Sequence, residues 1–428
     1  MSVKLQSEQS TAQPAAEATY FTQALSRFTH GFRALRVRNY RLFWFGQIIS
    51  LSGTWMQTTA QAWLVLQLTQ SPFALGLVTT LQFLPIMLLS LVGGVLIDRF
   101  SKHRMVLTTQ VLALIQATIF GVLVGTGLIQ LWHVYILAAF QGMVNAFDNP
   151  ARQAFVPELS GREHLVNAIA LNSMLFNSAR IVGPAIGGLL IAQFGIASAL
   201  YLNAASFLAV IAGLLMMDQT QFFAPPAQRR GAAPIRQQVA EGLSYVWRTA
   251  PVLQIMLVVA AIGTFGYNFS VVLPLLAGFV LHTDAAGFGS LSAFLGVGSL
   301  LAAIATAYTK QVTVRRLLLG SGMFSLILAL VAFSTNFALS AALLVALGFA
   351  GITFATTANT LLQLTVPDEL RGRVMSIYIL LFAGSTPIGG FLIGSLSDTI
   401  GVSWTLLVCA GLCLAGVIGA TLYHRRTA

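Results

Sequence analysis

Charge is what this chain has least of. Only 8% of its 428 residues are Asp, Glu, Lys or Arg, against about 25% in an ordinary soluble domain, so a water-soluble globular fold is excluded. Acid is scarcer still, with 12 Asp and Glu beside 23 Lys and Arg for a net charge of +11. Cysteine is confined to Cys409 and Cys413, one helical turn apart in an apolar run. That pair supports neither a disulfide framework nor a metal knuckle and reads as two buried small hydrophobes. The G-x-x-x-x-G-K-[ST] phosphate loop is absent, which argues against ATP as a driving force. So are G-x-S-x-G and H-E-x-x-H, and the six histidines fall in or next to loops. Neither catalysis nor a bound cofactor or metal is expected.

Apolar residues fill the space that charge leaves, at 57% of the chain. Runs of roughly 20 such residues cross a hydrocarbon core of about 30 Å as helices. Twelve are found, near 40–66, 74–97, 105–127, 131–152, 166–193, 196–217, 252–279, 286–308, 315–334, 337–363, 374–397 and 401–423. The expected class is an all-α membrane protein with twelve transmembrane helices. Basic residues fix its orientation: with the N-terminus inside, 22 of the 23 Lys and Arg lie on inner segments and none on outer loops. A missed helix would invert every later loop, so the bias supports the span count and places both termini in the cytoplasm. The same pattern assigns the net charge to membrane topology rather than to nucleic acid.

The exception is Arg180, inside a span. It belongs to a stretch, 141–188, that concentrates the scarce charge in Asp148, Arg152, Glu158, Arg162, Glu163 and Arg180. About 210 positions later the layout returns: Asn149, Gln153 and Pro157 are answered by Asn359, Gln363 and Pro367, and PAIGG at 184–188 by PIGG at 387–390. Repeated halves in an apolar chain point to two related six-helix bundles with a binding site where they meet. The implied organisation is a cytoplasmic segment 1–39, a bundle 40–217, a cytoplasmic linker 218–251, a bundle 252–423 and a tail 424–428. Within the first segment, residues 1–19 have the composition of a disordered tail. From Phe21, apolar residues share one helical face, consistent with an amphipathic helix on the membrane or a simple basic lead-in.

Polar residues inside the spans name the candidate site. In the first span Gln57 and Gln61 continue a polar stripe that faces either a water-filled cavity or another helix. In the fourth, Gln141, Asn145, Asp148, Asn149 and Arg152 share a face. In the fifth, Asn177 and Arg180 do, and an unpaired guanidinium at mid-span needs an acid, carbonyls, or water with an anionic substrate. The seventh carries Tyr267 and Asn268 between Gly263 and Pro274, a combination that suits a bendable helix facing the cavity and that packing alone also explains. For Asp148 three roles stand open: latch partner to Arg99 or Arg104, proton-titrating coupling site, or interfacial carboxylate.

The loop after the second span, GGVLIDRFSKHR, resembles the signature G-x-x-x-D-R-x-x-x-[RK] of the major facilitator superfamily, with Gly94, Asp98, Arg99 and Arg104 in order. The resemblance implies two pseudo-symmetric six-helix bundles and an inner latch at Asp98, Arg99 and Arg104, while Lys102 and His103 only set topology. The motif of Gly183, Pro184, Gly187 and Gly188 is similar to the fifth-helix motif of exporters in that superfamily; its glycines allow close helix approach and its proline loosens a turn, which suits a helix that bends or, equally, a plain packing seam. Together with AFDNPARQAFVPEL, it resembles the branch called transmembrane secretion effectors. What that implies is export of a small organic molecule, a drug, siderophore or other metabolite, by proton antiport with alternating access, from a monomer in the bacterial inner membrane. An importer or a lysophospholipid translocator on the same fold is the alternative.

Overall fold

The structure is a computed structural model that describes residues 32–223, 235–307 and 312–427; the side chains of 90–99, 235–236, 238, 307 and 424–427 lie outside the description. Its described residues form helices joined by short turns, with no strand among them. The N-terminal spans are α1 (Arg38–Thr69), α2 (Pro72–Arg99) and α3 (Lys102–Gly125). The 64-residue run Leu131–Phe194 follows and breaks at Gly161 into α4 (131–160) and α5 (162–194), and α6 is Ile196–Leu215. A short helix, α7 (Ile235–Arg248), leads to the second set: α8 (Ala250–Val280), α9 (Ala285–Ala307), α10 (Val314–Phe333), α11 (Phe337–Thr365), α12 (Asp368–Ile400) and α13 (Val402–Thr427).

Ten of these runs are long and apolar enough to cross a membrane, one of them the doubled run Leu131–Phe194. Arg38–Thr69 is not among the ten because its polar stripe dilutes its hydropathy, yet its 32 residues span about 48 Å at ~1.5 Å per residue. Twelve crossings result, six in each of two bundles.

Gly161 makes the sharpest turn, at φ 71° and ψ 168°. That region is open to glycine alone, and the Phe223 ring packs on the bare Cα side, while the Phe223 amide donates to the Glu158 carbonyl. The chain after α6 thus wraps the end of α4. Asp218 fixes this wrap by accepting from Thr220 and Gln221, and its backbone exchanges hydrogen bonds with the Asn39 amide. The Thr220 hydrogen bonds, with Arg38 nearby, hold the Asp218 carboxyl below its ordinary value of 3.8.

Two glycine seams hold the bundles together. Gly188 of α5 lies against Gly289 of α9, and Gly76 of α2 against Gly394 of α12, so close that a Cβ on Gly188 would stand 2.5 Å from the Ala285 oxygen. Both seams lie toward the face opposite the starts of α1 and α7. Trp63 stacks on Phe288 and Phe73 meets Phe391 edge-on at the same end. This face is closed between the bundles. Toward the basic face, where α1, α3, α7 and α12 begin, α5 and α12 instead leave Val166, Ile169, Ile379 and Leu380 exposed.

The seams correct the repeat register. Gly142 and Gly348 receive matching carbonyls from Gln82 and Leu295, Gly188 and Gly394 occupy matching seats, and Gly195 and Gly401 make matching turns, each pair 206 residues apart. The Asn149 and Asn359 pairing and the PAIGG and PIGG pairing are therefore out of register, the first by one helical turn, because residues four apart share a helix face. The backbone of Leu131–Phe194 keeps helical angles at Pro184, Gly161 being the sole non-helical position inside that run. Helix breaks occur elsewhere. In α8 two π-turns flank non-helical Tyr267 and Asn268, and α12 is interrupted at Ala383–Ser385. Of the residues expected in an N-terminal amphipathic helix, 21–31 lie outside the described residues; Arg33–Arg36 form a 3-10 turn.

Candidate functional site: a guanidinium between the bundles

Arg180 lies near the middle of α5, Trp55 near the middle of α1 and Tyr267 at the break in α8. Glycine brings them together. Gly183 lets α1 approach until a Cβ there would stand 2.5 Å from the Trp55 Cβ, which places the indole against the turn of α5 that carries Arg180 and Phe176. On the other side Gly351 lies under the Tyr267 ring, and Phe382, Phe269 and Phe324 surround that ring at centroid distances of 4.8, 5.1 and 6.5 Å.

The guanidinium carbon sits 6.0 Å from the Trp55 ring centroid and 5.9 Å from that of Tyr267, one ring from each bundle. Among the described residues no carboxylate pairs with it. Cation–π contacts at the edge of their range contribute about 0.5–2 kcal/mol each. A guanidinium at the bilayer centre costs about 2.5–3.5 kcal/mol on insertion scales and more in simulations. Two aromatic faces therefore offset part of that cost and leave a positive, half-buried site framed by flat apolar rings. Such a site favours an anionic group attached to an aromatic body.

The other expected cavity residues divide. Asn177 is half-buried one turn before Arg180 and donates to the Ser173 carbonyl of its own helix; Asn145, also half-buried, accepts from Gln141. Gln57 and Gln61 do not line a cavity. They are 5% and 4% exposed, and their amides are used inside the N-terminal bundle, Gln57 between Gln116 and Asn203, Gln61 donating to Gln82. Asn268 is also sealed, at 1% exposure between α8 and α12, donating to the Thr264 carbonyl. The sequence stripe gave the right face of each helix, but burial turned that face toward a neighbouring helix. Gly183, Gly187 and Gly188 serve packing, the first two against Trp55 and Met56 of α1 and the third against Gly289.

Asp148 is 4% exposed. Its Oδ1 accepts from Thr109 Oγ1 at 2.6 Å and Gln110 Nε2 at 3.0 Å, and its Oδ2 lies 2.5 Å from Arg152 Nε. Every one of these partners is in the N-terminal bundle. Arg104 is exposed and does not reach Asp148, and the side chains of Asp98 and Arg99 lie outside the described residues. The ion pair that the sequence did not single out is Lys102–Glu158, 2.9 Å, joining the start of α3 to the end of α4. Its neighbour His103 is buried, bonded to the Leu214 carbonyl and tilted against Phe155 and Phe222. Lys102 and His103 thus tie helix ends together rather than only setting topology. Tyr267 and Trp55, the two rings on Arg180, were not paired with it in the sequence because they come from distant spans and carry no charge signal.

A family model described as transmembrane secretion effector matches residues 29–427. The multidrug efflux pump Tap of Mycolicibacterium fortuitum is 28% identical over 396 residues, covering 90% of this chain and 96% of that protein. The enterobactin exporter EntS of Shigella boydii is 25% identical over 363 residues, covering 83% and 85%. A solved bacterial homologue of the human lysosomal transporter Spinster, inward-facing and occupied, superposes with a TM-score of 0.71 at 13% identity, covering 91% of this chain and 97% of that one.

Proposed function

Because the chain belongs to the transmembrane secretion effector family of the major facilitator superfamily, and is a multi-pass membrane transport protein rather than an enzyme, we propose that it exports a small organic anion or phenolate-bearing aromatic compound by alternating access, driven by proton entry. The observation that carries the substrate class is Arg180 between Trp55 and Tyr267. A guanidinium without a carboxylate, contacted by one ring from each bundle, is a place where a ligand's charge completes the site and its ring stacks on both halves. The names of the relatives, a multidrug efflux pump and an enterobactin exporter, support outward movement.

Lys and Arg concentrate on the face where α1 begins, so that face is assigned to the cytoplasm of a bacterial inner membrane, with both termini inside. With the glycine seams closed on the opposite face, the arrangement is then open inward and ready to load. Outward opening parts Gly188 from Gly289 and Gly76 from Gly394. Asp148 is assigned the coupling proton: protonation of Oδ2 parts it from Arg152 and leaves that cation to find a new partner. The protein acts as a monomer, each copy holding both bundles.

Binding by purified protein in nanodiscs tests the substrate class, with a catecholate compound as probe and tryptophan fluorescence as readout. Arg180→Ala is expected to abolish binding, and Arg180→Lys to weaken it at least tenfold, since an ammonium does not stack between two rings. Unchanged affinity in Arg180→Ala would overturn the assignment.

A further inference from the structure

The N-terminal bundle contains a column of buried amides that substrate binding does not use. Eight Asn and Gln side chains in that bundle are buried against two in the C-terminal bundle, among the described residues. The two halves otherwise share their close contacts, so this asymmetry is specific. At the 206-residue register set by the glycine pairs, Gln141, Asn145, Asp148 and Arg152 of α4 correspond to Leu347, Gly351, Phe354 and Ala358 of α11; by the contact each makes, Gln82 facing Gly142 is matched by Leu295 facing Gly348, 213 positions later. One half is polar where its counterpart is apolar.

Hydrogen bonds join much of the column. Asp148 is bonded to Thr109 and Gln110 of α3; two turns further along α3, Gln116 donates to the Leu137 carbonyl of α4 and accepts from Gln57, which accepts from Asn203 of α6. One turn beyond Gln57, Gln61 donates to Gln82. From Arg152 to Leu137 the column covers about 22 Å of helix at ~1.5 Å per residue, in a core of about 30 Å.

Two buried polar atoms of the column have no protein partner, Gln110 Oε1 and Gln141 Oε1, on side chains that are 1% and 4% exposed; in the same bundle Gln47 Nε2 and Ser50 Oγ of α1, 2% and 1% exposed, are likewise without one. Buried polar groups are rarely left unbonded, and where protein does not serve them ordered water does. The Gln110 amide is instructive: its nitrogen holds the Asp148 carboxylate while its oxygen points away without a partner. It is placed to join a water to the acid.

We propose that this column is a hydrated proton route through the interior of the N-terminal bundle, leading from the face opposite the basic one to Asp148 and bypassing the site at Arg180. It rests on the assignment of Asp148 as the coupling group. A proton is passed from water to water between amide groups that orient them and ends on Asp148 Oδ2, converting the carboxylate to the acid as Arg152 is released; Oδ1 already accepts two donors. Separating the proton route from the substrate site lets one chain carry protons inward and a bulky ligand outward without their sharing a passage.

The test needs no substrate. Proteoliposomes with the opposite face outward receive a rapid drop in external pH, and the carboxylic acid C=O band that is lost in Asp148→Asn is followed by time-resolved infrared spectroscopy. Gln116→Leu is expected to slow the rise of that band at least tenfold. Gln141→Leu, which removes the partnerless Oε1 acceptor together with the one hydrogen bond to Asn145, is expected to slow it in the same direction. A band that rises at the wild-type rate in both variants overturns the route, since the proton then reaches Asp148 from the site at Arg180. The absence of any Asp148-dependent band between pH 4 and 8 overturns instead the assignment of Asp148, and the route with it.

Discussion

Replacing Gly188 by alanine tests whether the glycine seam holds the opposite face closed. The new Cβ would stand 2.5 Å from the Ala285 oxygen and 2.9 Å from the Gly289 Cα, both backbone atoms that no rotamer change can move, where ordinary contact begins at 3.4 Å. The helices must part by about 0.9 Å at that point. Overpacking of this kind costs about 1–3 kcal/mol, and it acts on the closed state alone, because the seam does not exist once the bundles separate there. At about 1.4 kcal/mol per tenfold, the equilibrium shifts ~5–150-fold toward the state open at the opposite face. Spin labels at Leu128 and Phe333, exposed at that face on different bundles, report it by double electron–electron resonance: a longer distance gains population in Gly188→Ala. Gly289→Ala is expected to behave alike, and Gly322→Ala, whose Cβ meets nothing within 4 Å, to match wild type. An unchanged distribution in Gly188→Ala would refute the idea that the seam is the closing contact.

Three further outcomes follow from the same geometry. Gly161→Ala forces a side chain into a positive φ and against the Phe223 ring, and is expected to cost about 1–3 kcal/mol, seen as a lower apparent Tm in detergent or nanodiscs. Glu158→Gln removes the partner of Lys102 in a mostly buried pair and is expected to lower the same Tm by the equivalent of roughly 1 kcal/mol. Because the Asp218 carboxyl is held below its ordinary value, its contribution to the wrap after α6 is present above about pH 4 and lost as pH falls through the depressed value. Hydrogen exchange at residues 216–223 should therefore quicken at acid pH in wild type, and the extra acid sensitivity should vanish in Asp218→Asn.

The span count, the basic face and the two-bundle plan were legible because each rests on composition or on a repeated length. What was not legible depended on which side of a helix meets another helix. The polar stripe of α1 could face water or protein, and only the placement of Gln116, Asn203 and Gln82 shows that Gln57 and Gln61 face protein. Arg180 stood out as a lone charge at mid-span, but its rings come from α1 and α8, 125 residues before it and 87 after, and nothing local marks them. Glycine-proline motifs read as hinges because proline removes a hydrogen bond. Here Gly183, Gly187 and Gly188 supply the close approach that their size also allowed, and the breaks fall in α8 and α12, where the sequence hinted at the first through Gly263 and Pro274 and missed the second.

Gradient-driven transport in proteoliposomes tests the central claim most directly. Wild-type protein and Arg180→Ala are compared with a panel of cationic drugs, catecholate siderophores and lysolipids, with and without an imposed pH gradient. The expected result is movement of the anionic aromatic compounds away from the basic face, dependent on the gradient and lost in Arg180→Ala. Movement of cationic drugs or lysolipids alone, or transport that Arg180→Ala leaves intact, would contradict it.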